Sequence, residues 1–344
     1  MAGLAGRLGL SLLLIGAGLW GGLALSFRAP SGEILAGIMA ALLLLALVGI
    51  WSGVSFGARL RLFVPFAAAF VAVLGWWTSL MPRADRDWEP FLARQPRATI
   101  EGDRLTVENV RDFRWRRREG RGGSEAEGGA VEEIAREGWE TRTYDLSKAS
   151  GVDLFFSYWS GPLIAHVITS VTFDDQPPLA FSVEIRRERG EAYSALAGFF
   201  KSYELTMVAA DERDVIRLRT DAWREDVRLY RLTVGREKTR ALLESLAREM
   251  NDLAEQPRWY DTLGANCTTV VFGLARTLWP DLAFDLRVLF SGRAPEYAHA
   301  IGAVRTDLPF AELRDRAAIS EIARALPDDN FSAGLRAHVP APHP

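Results

Sequence analysis

The chain has 344 residues, a net charge of −3 from 41 basic and 44 acidic residues, and a single cysteine. The near balance of charge leaves no basic excess of the kind nucleic-acid binding requires, and one cysteine excludes an internal disulfide framework. Four histidines and one cysteine without ligand spacing give no metal site, and no glycine-rich phosphate loop is present, so no metal or cofactor is expected.

Three apolar stretches come first, at residues 8–27, about 34–56 and about 60–80. Each has roughly the 20 residues a helix needs to cross hydrocarbon, which predicts three transmembrane helices and makes residues 1–82 a membrane anchor. A secretory signal would also fit the first stretch, but two further spans keep the chain anchored either way. Arg7, Arg59 and Arg61 against Arg28, which Glu33 balances, favour a cytoplasmic amino terminus and an outward-facing remainder, although Arg83 and Arg86 pull the other way.

Residues 83–344 are long enough for one large domain. "ATIEGDRLTVENVRDFRW" alternates on both sides of a Gly-Asp turn and predicts a hairpin over about 98–115. The stretch 116–137 is rich in glycine and charge and poor in aromatics, which predicts a mobile insertion. "WETRTYDLSKASGVDLFFSYW" gives a strand, a glycine turn and an aromatic segment. In "IAHVITSVTFDDQPPLAFSVEIRRE" two alternating runs flank Asp-Asp-Gln-Pro-Pro, the clearest hairpin of the chain. "GEAYSALAGFFKSYEL" reads as a short helix, "DVIRLRTD" and "DVRLYRLTV" as strands, and "GREKTRALLESLAREMNDLAEQ" as an amphipathic helix. "CTTVVFGLARTLW" predicts a core helix, "FAELRDRAAISEIARAL" a late one, and "HVPAPHP" a frayed tail. Strands joined by tight turns and clustered between helices make an α+β domain with an antiparallel sheet.

The chemistry gathers at Cys267. Asn266 is a favoured helix cap, so Cys267 falls in a first turn whose free N–H groups and dipole lower a thiol pKa and can hold an oxyanion, with Asn266 and Thr268 the candidate cap and oxyanion residues. A buried filler thiol fits the same position. A base is needed: His338 and His343 lie in the proline-rich tail and His299 in a weakly patterned segment, whereas His166 opens a hairpin strand. With the turn near 175–176, His166 faces roughly 184–186, so Glu184 is the candidate orienter of the imidazole and Ser182 its substitute under a register shift. Tyr158, Trp159 and Tyr260 border these segments as candidate substrate-binding residues, and Arg217 and Arg219, alternating on an expected strand, are candidates to face an anionic group of the substrate, although a solvated strand face suits both arginines as well.

The motifs "SYWSGPLIAHVITSVTF", "FSVEIRRERGEAYSALAGFFKSYEL", "VAADERDVIRLRT", "VRLYRL", "PRWYDTLGANCTT" and "PEYAHAIGAVRTDLPFAELR", in order and spacing over about residues 86–315, resemble the domain family typified by the amino-terminal periplasmic domain of the lipoprotein N-acyltransferase Lnb. The resemblance implies a circularly permuted papain-like (NlpC-like) fold in which the histidine strand precedes the cysteine helix, with Cys267 as nucleophile and His166 as base. It places the third group on the strand after the histidine strand, which leaves Glu184 and Ser182. It further implies a bacterial inner-membrane protein with a periplasmic catalytic domain acting on a lipid or lipoprotein. The three spans and the glycine-rich insertion depart from the pattern. The readings carried forward are a cysteine acyltransferase or hydrolase, a peptidoglycan-directed cysteine peptidase or amidase on the same machinery, and a non-catalytic envelope lipid- or protein-binding domain.

Overall fold

A computed structural model describes residues 3–52, 54–118 and 132–342. The chain divides into two compact units, Met1–Pro82 with Leu196–Ser202, and Arg83–Ala195 with Tyr203–Pro344.

The first unit is built on three helices, α1 (Leu4–Arg28), α2 (Gly32–Trp51) and α3 (Phe56–Ser79), each long and apolar enough to cross a membrane. Small residues let them approach: a Cβ on Gly18 would stand 2.6 Å from Leu43, and one on Gly49 would stand 3.2 Å from Leu62. The second helix ends at Trp51, short of the expected 56, because Ser55 caps α3 by accepting the Ala58 N–H. The segment Leu196–Ser202 joins this unit through Phe200, stacked on Phe27 at 5.5 Å and edge-on to Trp77 at 6.3 Å. The short helix expected here is reduced to one 3-10 turn, Ala197–Phe199, with Lys201 turning the chain at φ 49° and donating to the Trp77 carbonyl.

The second unit contains β1 (Arg97–Glu101), β2 (Arg104–Arg111), β3 (Arg114–Arg117), β4 (Glu132–Arg136), β5 (Trp139–Asp145), β6 (Ala149–Tyr158), β7 (Ala165–Phe173), β8 (Leu179–Arg186), β9 (Glu204–Asp211), β10 (Asp226–Arg231) and β11 (Arg258–Trp259). Among the described residues nine of these form one sheet in the order β1-β2-β9-β8-β7-β6-β10, with β5 on β2 and β11 on β9. The pairings are antiparallel except β2 with β9, which run parallel at Arg111 and Ala210. The expected antiparallel sheet is therefore a mixed one.

Strands β7, β8 and β9 are buried on both faces, since helices cover each side. On one side α5 (Arg236–Glu255) packs Leu242, Leu243, Leu246 and Met250 against Val171, Val183 and Met207. On the other, Val215 and Ile216 of α4 (Glu212–Arg217) join Phe331 and Leu335 over Ile168 and Val208. The sequence "DVIRLRTD", expected as a strand, is α4 and a π-helical turn, Leu218–Ala222. Asp211 decides it by accepting the Arg213 N–H, with Glu212 and Asp214 in the first turn.

The late helix is two, Phe310–Arg316 and Ser320–Ala325. It breaks where the Ala317 carbonyl and the Ile319 N–H turn from helical bonding to β10, through Leu229 N–H to Ala317 O and Ile319 N–H to Val227 O. The tail stays packed as far as Val339, which is buried in the core. The flanks of the 116–137 stretch form the ribbon of β3 and β4, and residues 119–131, where the mobile insertion was expected, lie outside the described residues. The turn expected at Gly151 is made by the 3-10 turn Leu146–Lys148, and Gly151 lies within β6.

Candidate active site

Asn266, Cys267 and His166 meet because two elements place them. Asn266 caps α6 (Cys267–Leu278): its Oδ1 accepts the N–H groups of Thr268 and Thr269 at 2.9 Å, and Thr269 Oγ1 accepts the Asn266 N–H at 2.9 Å. This reciprocal box fixes the first turn and holds the half-buried thiol of Cys267 there. Asn266 Nδ2 donates to Thr262 O at 2.7 Å. The side chain of Asn266 and the N–H of Thr268 are thus committed to the cap. The Cys267 N–H, as the first helical amide, has no helical acceptor.

His166, the second residue of β7, is buried. Its Nε2 lies 2.6 Å from Ser182 Oγ and 3.2 Å from Glu184 Oε1. Ser182 Oγ donates to Glu184 Oε1 at 2.6 Å, so its one hydrogen is committed and Nε2 must be the donor to Ser182. That leaves Nδ1 for the thiol. The β7–β8 register pairs Ile168 with Ser182, which continues to put His166 opposite Glu184. The sequence offered Glu184 and Ser182 as alternatives; the structure brings both to the same ring nitrogen.

Behind Glu184 stands Arg219, whose Nη2 lies 3.2 Å from Glu184 Oε1 and whose Nη1 lies 3.4 Å from Glu225 Oε2. Its guanidinium lies over Trp223 at 4.2 Å. Ser157 donates to Glu225 in turn.

These contacts set the protonation states. Burial pushes the His166 pKa down, but Glu184 and the Cys267 charge outweigh it and Arg219, raising it to about 9. Burial pushes the Cys267 thiol up, but His166, the Val167 N–H and Thr268 prevail, so it lies below the ordinary thiol value. Burial likewise opposes ionisation of Glu184, and His166 and Arg219 overcome it. All three shifts run toward a thiolate beside an imidazolium, the imidazolium held by a carboxylate.

The thiol, His166, Glu184 and Arg219 line a cleft of about 190 Å³ that Trp159, Tyr193, Trp223, Tyr260 and Leu289 wall with apolar surface. Trp159 packs edge-on to Tyr193 at 5.6 Å. Beside His166, Ser291 Oγ accepts the Ala165 N–H at 2.9 Å and Gly292 N–H donates to Leu163 O. A Cβ on Gly292 would stand 2.4 Å from Pro162 O, so only glycine lets this wall close. Tyr260 stays protonated: burial raises its hydroxyl and the charge of Cys267 adds to that.

Two expected residues do not reach the cleft. Arg217, two residues from Arg219 on what proves to be a helix, turns away to Asp221, Asp328 and the Leu326 carbonyl. The Tyr158 hydroxyl donates to Gly292 O at 2.9 Å and its ring lies under Arg228. His299 contacts Leu308 O, away from the cleft. Glu225, Ser157, Trp223 and Tyr193 escaped the sequence reading. Glu225 sits in "WREDVRLY", where nothing separates it from a solvated strand-edge carboxylate. Among the described residues no cluster of three or more His, Cys, Asp or Glu side chains stands at metal-binding geometry.

Residues 135–294 match the family model of the Lnb N-terminal periplasmic domain. The matched Lnb-type segment takes in His166, Ser182, Glu184, Arg219 and Cys267, and it agrees with the family that the sequence motifs resemble. No curated protein and no solved structure matches the chain. The family match and the three apolar helices point to a membrane protein with a periplasmic domain.

Proposed function

We propose that the protein is a cysteine acyltransferase or hydrolase that takes acyl groups from a lipid or lipoprotein at the periplasmic face of a bacterial inner membrane, its amino terminus cytoplasmic. The observation that carries this reading is the half-buried thiol at a capped helix start beside a buried histidine whose far nitrogen Ser182 and Glu184 hold. The order of histidine strand before cysteine helix also suits a permuted papain-like arrangement.

In the proposed reaction the Cys267 thiolate attacks an ester carbonyl carbon, forming a C–S bond and an oxyanion held by the Cys267 N–H with the Tyr260 hydroxyl as a second donor. The C–O bond breaks as His166 gives its proton to the departing alkoxide, leaving a thioester and a neutral imidazole. An amine, or water, then attacks the thioester while His166 takes its proton, and the C–S bond breaks to restore the thiolate. A cleft of about 190 Å³ is small against the ~300–1,000 Å³ of ordinary ligand sites, so it suits the reacting carbonyl and the first carbons of a chain rather than a whole lipid.

Intact-mass measurement after incubation with phospholipid or diacylated lipopeptide is expected to show an acyl adduct on the full chain and none on Cys267→Ala. Equal adducts on both proteins would remove the mechanism. New amine termini released from muropeptides, without an acyl adduct, would move the same site to amide hydrolysis. A thiol inert to iodoacetamide at neutral pH would leave only the non-catalytic reading.

A further inference from the structure

We propose that the membrane-helix unit carries a binding site for an anionic phospholipid at the end of the bundle where α1 begins, independent of the Cys267 cleft. A hollow of about 560 Å³ lies there, between the start of α1, the end of α2 and the start of α3. Leu10, Leu60 and Phe63 give it apolar walls, Gly6 and Gly49 contribute no side chain to fill it, and Arg7 and Arg59 line it as well.

The charge there is one-sided. Glu33 is the only acidic residue of positions 1–82, and it lies in the first turn of α2, at the other end of that helix from Gly49. Arg7, Arg59 and Arg61 therefore share one end of the bundle without a carboxylate from it. Among the described residues neither Arg7 nor Arg59 forms an ion pair; Arg59 donates through Nε to the Val54 carbonyl. Trp51, at the same end of α2, donates its indole N–H to Ser11 Oγ at 3.0 Å, an aromatic placed as those at headgroup level are.

An apolar hollow between spans has no water to fill it, and an acyl chain is the material at hand. Two guanidiniums at the same hollow favour a phosphate, through charge-assisted bonds and the attraction of basic groups for anionic lipid. Free phosphate offers the same headgroup chemistry, but the apolar walls gain only from an attached chain. An anionic phospholipid satisfies both features of the site.

The test uses native mass spectrometry of the full chain released from vesicles of equal phosphatidylglycerol and phosphatidylcholine. The wild type is expected to retain phosphatidylglycerol in preference by about thirtyfold, as two basic contacts would give. R7Q/R59Q is expected to bring the ratio to near parity, while Arg61→Gln, at the same end but outside the hollow, keeps it. Parity in the wild type, a preference surviving in R7Q/R59Q, or an equal loss in Arg61→Gln would overturn the proposal. Release of the lipid by millimolar inorganic phosphate would assign the site to a free anion and overturn it too. Should R7Q/R59Q fail to fold, Leu60→Trp fills the hollow with both charges intact: lost lipid supports the site and retained lipid overturns it.

Discussion

One face of β7 holds two buried ionic clusters four residues apart, and only one of them has the makings of an active site. At Ser170 the hydroxyl donates to Glu212, Arg336 donates to both oxygens of Glu212 and to Asp153, and Arg231 reaches Asp153 at 3.4 Å. Burial opposes the charge on Glu212, yet Arg336 keeps its pKa below the ordinary value, while burial prevails at Asp153. The His166 cluster has the same kinds of groups: a serine, carboxylates and a buried arginine. It differs in three respects, the imidazole itself, a thiol at a helix start and a cleft that reaches it. Buried charge by itself therefore marks architecture. Chemistry needs a nucleophile and an open space where a reacting atom can sit.

The sharpest way to break this comparison is to damage each cluster and read both activity and stability. His166→Gln is expected to lower the rate of thiol acylation roughly 10³-fold, since it removes the proton acceptor and the cation beside the sulfur. Its melting temperature is expected to fall as well, because the folded protein loses the cation that Glu184 and the sulfur hold, so the rate is read on folded protein. Arg336→Met should cost stability alone, about 3–5 kcal/mol by leaving Glu212 without its cation, with the surviving folded fraction turning over normally. If Arg336→Met lowers turnover of folded protein as much as His166→Gln does, the two clusters are not separable.

The sequence made some of this legible and concealed the rest for physical reasons. Hairpin β7–β8 was readable because Asp-Asp-Gln-Pro-Pro forces a turn, and α5 because its apolar positions recur three and four apart. From that turn, strand alternation alone put His166 within reach of Glu184 or Ser182. Residues 214–221 were misread because "VIRLRT" alternates as a strand does, whereas the capping carboxylate of Asp211 decides for helix. That error misplaced Arg217, since two positions that share a strand face lie about 200° apart on a helix. The break at Ala317–Ile319 depends on pairing with β10, roughly 90 residues earlier in the chain, and no local pattern encodes it. Glu225 and Ser157 were hidden likewise, since their importance comes from Arg219.

Within the His166 cluster the serine and the carboxylate can be ranked. Glu184 leads the groups that raise His166 to about 9 against burial, ahead of the Cys267 charge, so Glu184→Gln is expected to cost about tenfold to a hundredfold in kcat/KM and to pull the alkaline limb down. For the wild type the limbs follow from the directions of the shifts. His166 holds its proton more tightly in the folded protein, so the stability that proton adds is complete below 6.5 and is lost as pH rises through about 9. The thiolate is lost only as pH falls through the depressed Cys267 pKa. A plot of kcat/KM against pH should thus fall near 9, where the proton for the departing alkoxide is lost, while the alkylation rate rises through the depressed thiol pKa and does not fall again near 9. Ser182→Ala, which leaves the Glu184 charge in place, should lower the rate less and move the alkaline limb little. A limb that moves equally in both variants would mean that the hydroxyl, not the carboxylate charge, sets the histidine.

The smallest effect is expected at Asn266, and it separates the cap from the ion pair as the source of thiol acidity. Asn266→Ala removes the acceptor for two first-turn amides and should cost about 1 kcal/mol of stability. It leaves His166 and its partners in place, and the freed N–H groups still present their positive ends to the sulfur. Because His166 leads the influences that lower the Cys267 pKa, the pH at which alkylation rises should shift only slightly in Asn266→Ala and strongly upward in His166→Gln. Alkylation profiles of the two variants, measured beside thermal melts, check this. A large upward shift in Asn266→Ala with the fold intact would show that the orientation of the first turn, rather than the imidazolium, keeps the sulfur ionised.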